Sequence, residues 1–150
     1  MRQFKIVEDK FRKFPEINIE LPKRGTVGSS GYDIKTPIDV ILQPNEKTLI
    51  PTDICVHMPQ NETLLLHIRS SIGIKRNVIL SNVVGVIDSD FVNGETGGNI
   101  HIPVWNTSEE VVELKAGERV CQAIFQQYLI TDDDDAIGER IGGIGSTGKH

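Results

Sequence analysis

The chain has 150 residues, 38% of them apolar, with 16 Lys and Arg against 21 Asp and Glu and a net charge of −5. That length suits one domain, able to bury roughly 68–70% of the surface of its unfolded chain, and the acidic balance without a basic stripe argues against duplex DNA or RNA as a partner. No apolar run approaches the roughly 18 residues of a membrane span, and the charged start MRQFKIVEDKFRKF is unlike a secretory signal, so a cytoplasmic protein that does not enter membranes is expected.

Short apolar runs rich in β-branched residues recur between Pro, Gly, Asn and Asp: FKIV (4–7), INIEL (17–21), YDI (32–34), IDVIL (38–42), TLIPTDICVHM (48–58), TLLLHI (63–68), NVILSNVVGVI (77–87), NIHIPVW (99–105), VVEL (111–114) and VCQAIFQQYLI (120–130). Several alternate, as in Ile17-Asn18-Ile19-Glu20-Leu21, and none holds a helical period over two turns. The pattern predicts an all-β sandwich or barrel over 1–130, with 70–76 the one stretch open to a short helix. Trp105 reads as core, and Cys55 and Cys121 as buried free thiols. His57, His67, His101 and His150 lack zinc-ligand spacing, and H-E-x-x-H and G-x-S-x-G are absent. After Ile130, TDDDDAIGE (131–139) reads as a solvated acidic linker leading to a flexible Gly-rich tail over 140–150.

Four stretches of the body carry chemistry. In GSSGYDI (28–34), Gly28 and Gly31 are first of all turn residues, and Asp33 either orients a hydroxyl or water or makes a strand-edge hydrogen bond. Arg69-Ser70-Ser71 follows a strand, so it is either a surface turn or a guanidinium fork on phosphate with hydroxyl and amide donors beside it. In NVVGVIDSDF (82–91), Val86 and Ile87 run straight into Asp88, which is expected at or near the sheet's inner face. It is a turn cap or a general base, a role that contributes about 10²–10⁴-fold; Asp90 fits the cap better. Gln122, in the apolar run VCQAIF, wants a partner for its amide.

The tail residues Gly143 to Lys149 fit G-x-x-x-x-G-K, but a P-loop needs a Ser or Thr and a helix after the lysine, whereas His150 follows here. Gly142, Gly143, Gly145 and Gly148, with Ser146, Thr147 and Arg140, still offer N–H groups, hydroxyls and a guanidinium to phosphates, and such a tail can reach a site on another subunit.

In order, Ser29-Ser30-Gly31-Tyr32-Asp33-Ile34, Arg69-Ser70-Ser71, Asn82 to Phe91 with Gly85, Ile87, Asp88 and Asp90, Gly117-Glu118-Arg119-Val120-Cys121-Gln122, and Gly142 to Gly148 resemble the five motifs of the trimeric dUTPase family. The resemblance implies a β-jelly-roll homotrimer that hydrolyses dUTP to dUMP and pyrophosphate, with each site assembled from all three chains. It implies that Asp88 activates the attacking water; that Asn82 and the hairpin through Gly85 read uracil; and that Phe91 packs on deoxyribose. Arg69, Ser70, Ser71 and Gln122 would hold phosphates, Mg²⁺ would be bound mainly by triphosphate and water, and Arg140 with Ile144, Ser146 and Thr147 would close as a lid. Phe91 stands where the family usually has tyrosine, Ile144 where an aromatic stacks on uracil, Arg140 one residue nearer the glycines than usual, and Gly94 to Asn99 lengthen the loop after the third motif. A dCTP deaminase or bifunctional deaminase–diphosphatase, for which Glu95 is the nearest glutamate, and a catalytically weak dUTP-binding regulatory protein are the competing readings.

Overall fold

The computed structural model, which describes residues 1–144, pairs the apolar runs into antiparallel strands. In chain order these are β1 (Gln3–Ile6), β2 (Lys23–Arg24), β3 (Tyr32–Lys35), β4 (Val40–Leu42), β5 (Lys47–Pro51), β6 (Ile54–His57), β7 (Glu62–Ile68), β8 (Val78–Leu80), β9 (Gly85–Asp88), β10 (His101–Asn106), β11 (Val112–Leu114) and β12 (Arg119–Gln127). One short helix, α1 (Ser70–Arg76), fills the stretch where a helix was expected. The largest sheet runs β2-β3-β12-β7-β9; β5-β10-β8 forms a second, and β1-β6 and β4-β11 pair separately. Among the described residues the strands form a layered arrangement and not a closed barrel.

Period-2 alternation explains the layers. In β10, Ile102, Val104 and Asn106 are buried while His101, Pro103 and Trp105 face the other way and are half-buried. Trp105 is therefore not core: its Nε1–H donates to Asn45 Oδ1 at 3.0 Å, and the Lys47 ammonium sits 4.5 Å from its ring centre. The inward-facing residues of the strands and Ile72 of α1 join in a single apolar cluster. Cys55 and Cys121 are buried free thiols, and desolvation pushes the Cys121 thiol up to about 12.

Residues 17–21, for which a strand was expected, pair with none among the described residues. The segment lies between Pro15 and Pro22, which cannot donate to a ladder. Arg12 Nη2 instead takes the Ile17 carbonyl at 2.7 Å, and Ile19 still packs into the core.

The run 48–58 breaks at Asp53, which is fully buried with a left-handed φ of 57°. Its carboxylate accepts the N–H groups of Lys13 and Phe14, each at 2.8 Å, and the Asn99 amide at 3.0 Å, with Arg12 at 3.5 Å. Burial works against the charged form, but these donors outweigh it and hold the carboxyl below its ordinary range. Asp53 thereby ties the N-terminal segment to the start of β6 and to the loop entering β10.

Candidate active site

The run 77–87 splits at a tight turn between β8 and β9, where Val83 adopts a φ of 67°. A β-branched residue in that region carries backbone strain. Asn82 is exposed at this turn, and β9 then lies against β7 in the register Leu66↔Gly85 to Thr63↔Asp88. Gly85 lies close against β7: a Cβ there would stand 3.0 Å from Leu66 Cβ, so any larger residue requires Leu66 to give way.

Beside β9 opens a cavity of about 500 Å³ whose walls include Asn82, Gly85, Asp88, Phe91, Arg140 and Ile144. Phe91 lies in a single 3₁₀ turn (Phe91–Asn93) and is 5% exposed. The expectation that Asp88 sits at the sheet's inner face is overturned: its side chain is 52% exposed. Ile87 takes the core-packed phase of β9, so Val86 and Asp88 emerge on the opposite face. The Arg140 guanidinium, only 7% exposed, pairs with Asp88 through Nη2 and with Asp90 through Nε at 2.7 Å, and lies 5.7 Å from the Phe91 ring centre. The described start of the tail thus rests on its own chain's cavity. Ser146 and Thr147 lie outside the described residues.

At the other end of β7 a second cluster forms. Asp33 on β3 accepts from Arg69 Nε at 3.0 Å and from Arg119 Nη1 at 3.2 Å. Ser70 and Ser71 open α1, where the first N–H groups have no acceptor within the helix. Gln122 on β12 stands opposite both Asp33 and His67. Gly31 makes room for it: a Cβ at 31 would lie 2.7 Å from Gln122 Oε1, and no positive φ is required there. Close approach, not a turn, accounts for this glycine.

Two groups of residues therefore exist within one chain. Asp88 pairs with Thr63 near the start of β7, whereas Arg69 follows its last residue, Ile68. At about 3.4 Å per residue, six residues put Asp88 roughly 20 Å from Arg69 along the sheet. The cavity is also lined by Leu49, His101 and Pro103, which were not among the expected site residues. Their signal was the outward phase of HIPVW and TLIP, but alternation does not say what covers an outward face. His101 is held through Nδ1 to the Asn99 carbonyl at 2.8 Å, and desolvation lowers its pKa. Glu95 is exposed and does not line the cavity.

The dUTPase family model matches residues 17–148. The deoxyuridine 5'-triphosphate nucleotidohydrolase of Lactococcus lactis is 38% identical, covering 99% of this chain and 98% of that protein. The Finegoldia magna enzyme of the same name is 40% identical over 87% of this chain and 93% of its own. Among solved structures, the Streptococcus mutans dUTPase superposes with a TM-score of 0.74 at 34% identity, covering 86% of this chain and 98% of that one. With the motif-bearing residues gathered around one cavity and one arginine cluster, and matches of this extent, the chain belongs to the dUTPase family.

Proposed function

We infer that this protein hydrolyses dUTP to dUMP and pyrophosphate. The observation that carries the reading is the cavity that sets the Asp88 carboxylate beside Asn82, Gly85 and Phe91, in a volume typical of a small-molecule site. Asp88 is the general base: it takes a proton from water as the water oxygen bonds to the α-phosphorus and pyrophosphate leaves. Asn82 and the β9 hairpin read the uracil edge, and the Phe91 face packs on deoxyribose. Arg69, Ser70, Ser71 and Gln122 hold the phosphates, and Asp33 aims the arginine. Arg140, Ile144, Ser146 and Thr147 close over the nucleotide and exclude bulk water.

Magnesium fits here as a companion of the triphosphate. That ion keeps several waters and takes one or two carboxylates plus substrate phosphates, and among the described residues no group of three or more His, Cys, Asp or Glu could cage a metal unaided. When bound it neutralises charge developing on the phosphate oxygens.

A separation of roughly 20 Å is too great for Asp88 and Arg69 to serve one triphosphate within one chain. A homotrimer, in which one copy's arginine cluster faces another's Asp88, resolves this. The run Tyr128-Leu129-Ile130, with Leu129 97% exposed, offers apolar surface for such contacts.

The test is to incubate the protein and magnesium separately with dUTP, dCTP, dTTP and UTP. Pyrophosphate and dUMP from dUTP alone support the reading. Ammonia from dCTP would replace it with a deaminase, and tight dUTP binding without product would replace it with a regulatory role.

A further inference from the structure

We propose that the backbone turn centred on Val83 is a specificity-determining element: it is strained, and it holds Asn82 and Val84 in the cavity wall in the arrangement that reads the base. The proposal rests on the dUTP reading given above. Among the described residues four other than glycine have a positive φ: Asn45 (61°), Asp53 (57°), Asn77 (54°) and Val83 (67°). Three of them are Asn or Asp, which visit the left-handed region through local hydrogen bonding; valine, branched at Cβ, does so only under strain. The Val84 N–H donates to the Asn82 carbonyl at 2.7 Å, a bond from the third residue to the first that closes a γ-turn around Val83. With a positive φ at its centre, this is the rare and strained form of that turn.

Both ends of the turn are pinned, each to a different sheet. The Ser81 N–H donates to the Pro103 carbonyl on β10 at 2.7 Å, and the Val83 N–H to the Leu80 carbonyl at 2.9 Å. On the other side Gly85 is in register with Leu66 on β7. The chain therefore passes from the β5-β10-β8 sheet to the large sheet within residues 81–84, and a strained φ persists where its surroundings fix it from both sides. The Val83 side chain contributes little packing to its own chain: it is 75% exposed and stands outside the cavity wall, whereas Asn82 and Val84, on either side of it, both line that wall. What the turn secures is the placement of its neighbours.

It follows that the backbone at 83, and not the isopropyl group, is what base selection needs. Glycine and asparagine adopt a positive φ more readily than valine. Proline fixes φ near −65° and also removes the N–H that bonds Leu80, so it abolishes both halves of the turn.

Full-length wild type, Val83→Asn, Val83→Gly and Val83→Pro are compared in melting temperature and in affinity for non-hydrolysable analogues of dUTP and dCTP, measured by calorimetry. Val83→Asn is expected to raise the melting temperature by about 2–4 °C, and Val83→Asn and Val83→Gly to keep the wild-type preference for the uracil analogue. Val83→Pro is expected to lower that preference by about tenfold or more, through weaker binding of the uracil analogue. A folded Val83→Pro chain with the wild-type preference would overturn the proposal. So would a Val83→Gly chain that loses as much preference as Val83→Pro, since the side chain would then be the determinant, and so would a Val83→Asn chain no more stable than the wild type. A wild type that neither binds nor hydrolyses dUTP would sink the functional reading itself, and this is seen before any variant is made. Should Val83→Pro fail to fold, hydrogen exchange at the Val84 amide of the wild type decides: exchange slowed by the dUTP analogue and not by the dCTP analogue supports the turn's role, and exchange indifferent to the dUTP analogue refutes it.

Discussion

Arg69 Nε stands 3.0 Å from one oxygen of Asp33, whose other oxygen holds Arg119 at 3.2 Å. One carboxylate, itself only 14% exposed, thereby fixes two guanidinium groups. Asp33→Asn keeps the shape and removes the charge that aims them. We expect KM for dUTP to rise about tenfold, the equivalent of about 1.4 kcal/mol, with kcat changing less. Steady-state kinetics check this, and an unaltered KM would remove Asp33 from phosphate binding.

Asp88→Asn should lower kcat by about 10²–10⁴, the usual contribution of a general base, while leaving dUTP affinity within a few-fold. Single-turnover rates and calorimetric titration separate the two quantities. Turnover at the wild-type rate would show that another group accepts the proton.

Ile144 is 59% exposed yet forms part of the cavity wall, where the family resemblance places a ring over uracil. Base–aromatic stacking is worth about 1–3 kcal/mol in nucleic-acid sites, so Ile144→Phe should lower KM or raise kcat several-fold. Kinetics unchanged in both parameters would show that position 144 does not reach the base.

Asp53 connects stability to pH. Its carboxyl is held below the unfolded value of about 3.9, so its contribution is complete above that pH and is lost as pH falls from there through the folded value. Asparagine tolerates the left-handed backbone at 53, so Asp53→Asn isolates the charge. We expect a loss of about 2–3 kcal/mol at neutral pH and a flatter fall of stability through the acid range, measured by urea unfolding at a series of pH values. An acid limb as steep as that of the wild type would place the proton uptake elsewhere.

The residue types at the site were legible in the chain, and so was the all-β class, because alternation and turn residues are local signals. What local signals do not contain is the phase of each strand relative to the rest of the molecule. Asp88 follows an apolar run and yet faces outward, because Ile87 takes the inward phase; Trp105 is displaced to the outer face by Ile102 and Val104 in the same way. Residues 17–21 alternate like a strand, but they pair with no strand among the described residues, and the flanking Pro15 and Pro22 cannot donate to a ladder. Gly31 looked like a turn residue because its requirement is set by Gln122, distant in sequence and adjacent in the sheet. Leu49, His101 and Pro103 escaped for the same reason, since only the assembled cavity shows which outward positions share it.

The length of β7 has a genetic counterpart. If the strand holds Arg69 and Asp88 too far apart to share a substrate, then each working centre draws its base and its phosphate grip from different copies of the gene product. Chains with Arg69→Ala and chains with Asp88→Asn, each nearly silent alone, should revive one another when they are unfolded together and allowed to reassemble. A fraction of the mixed oligomers then contains centres in which both defective positions have been left out.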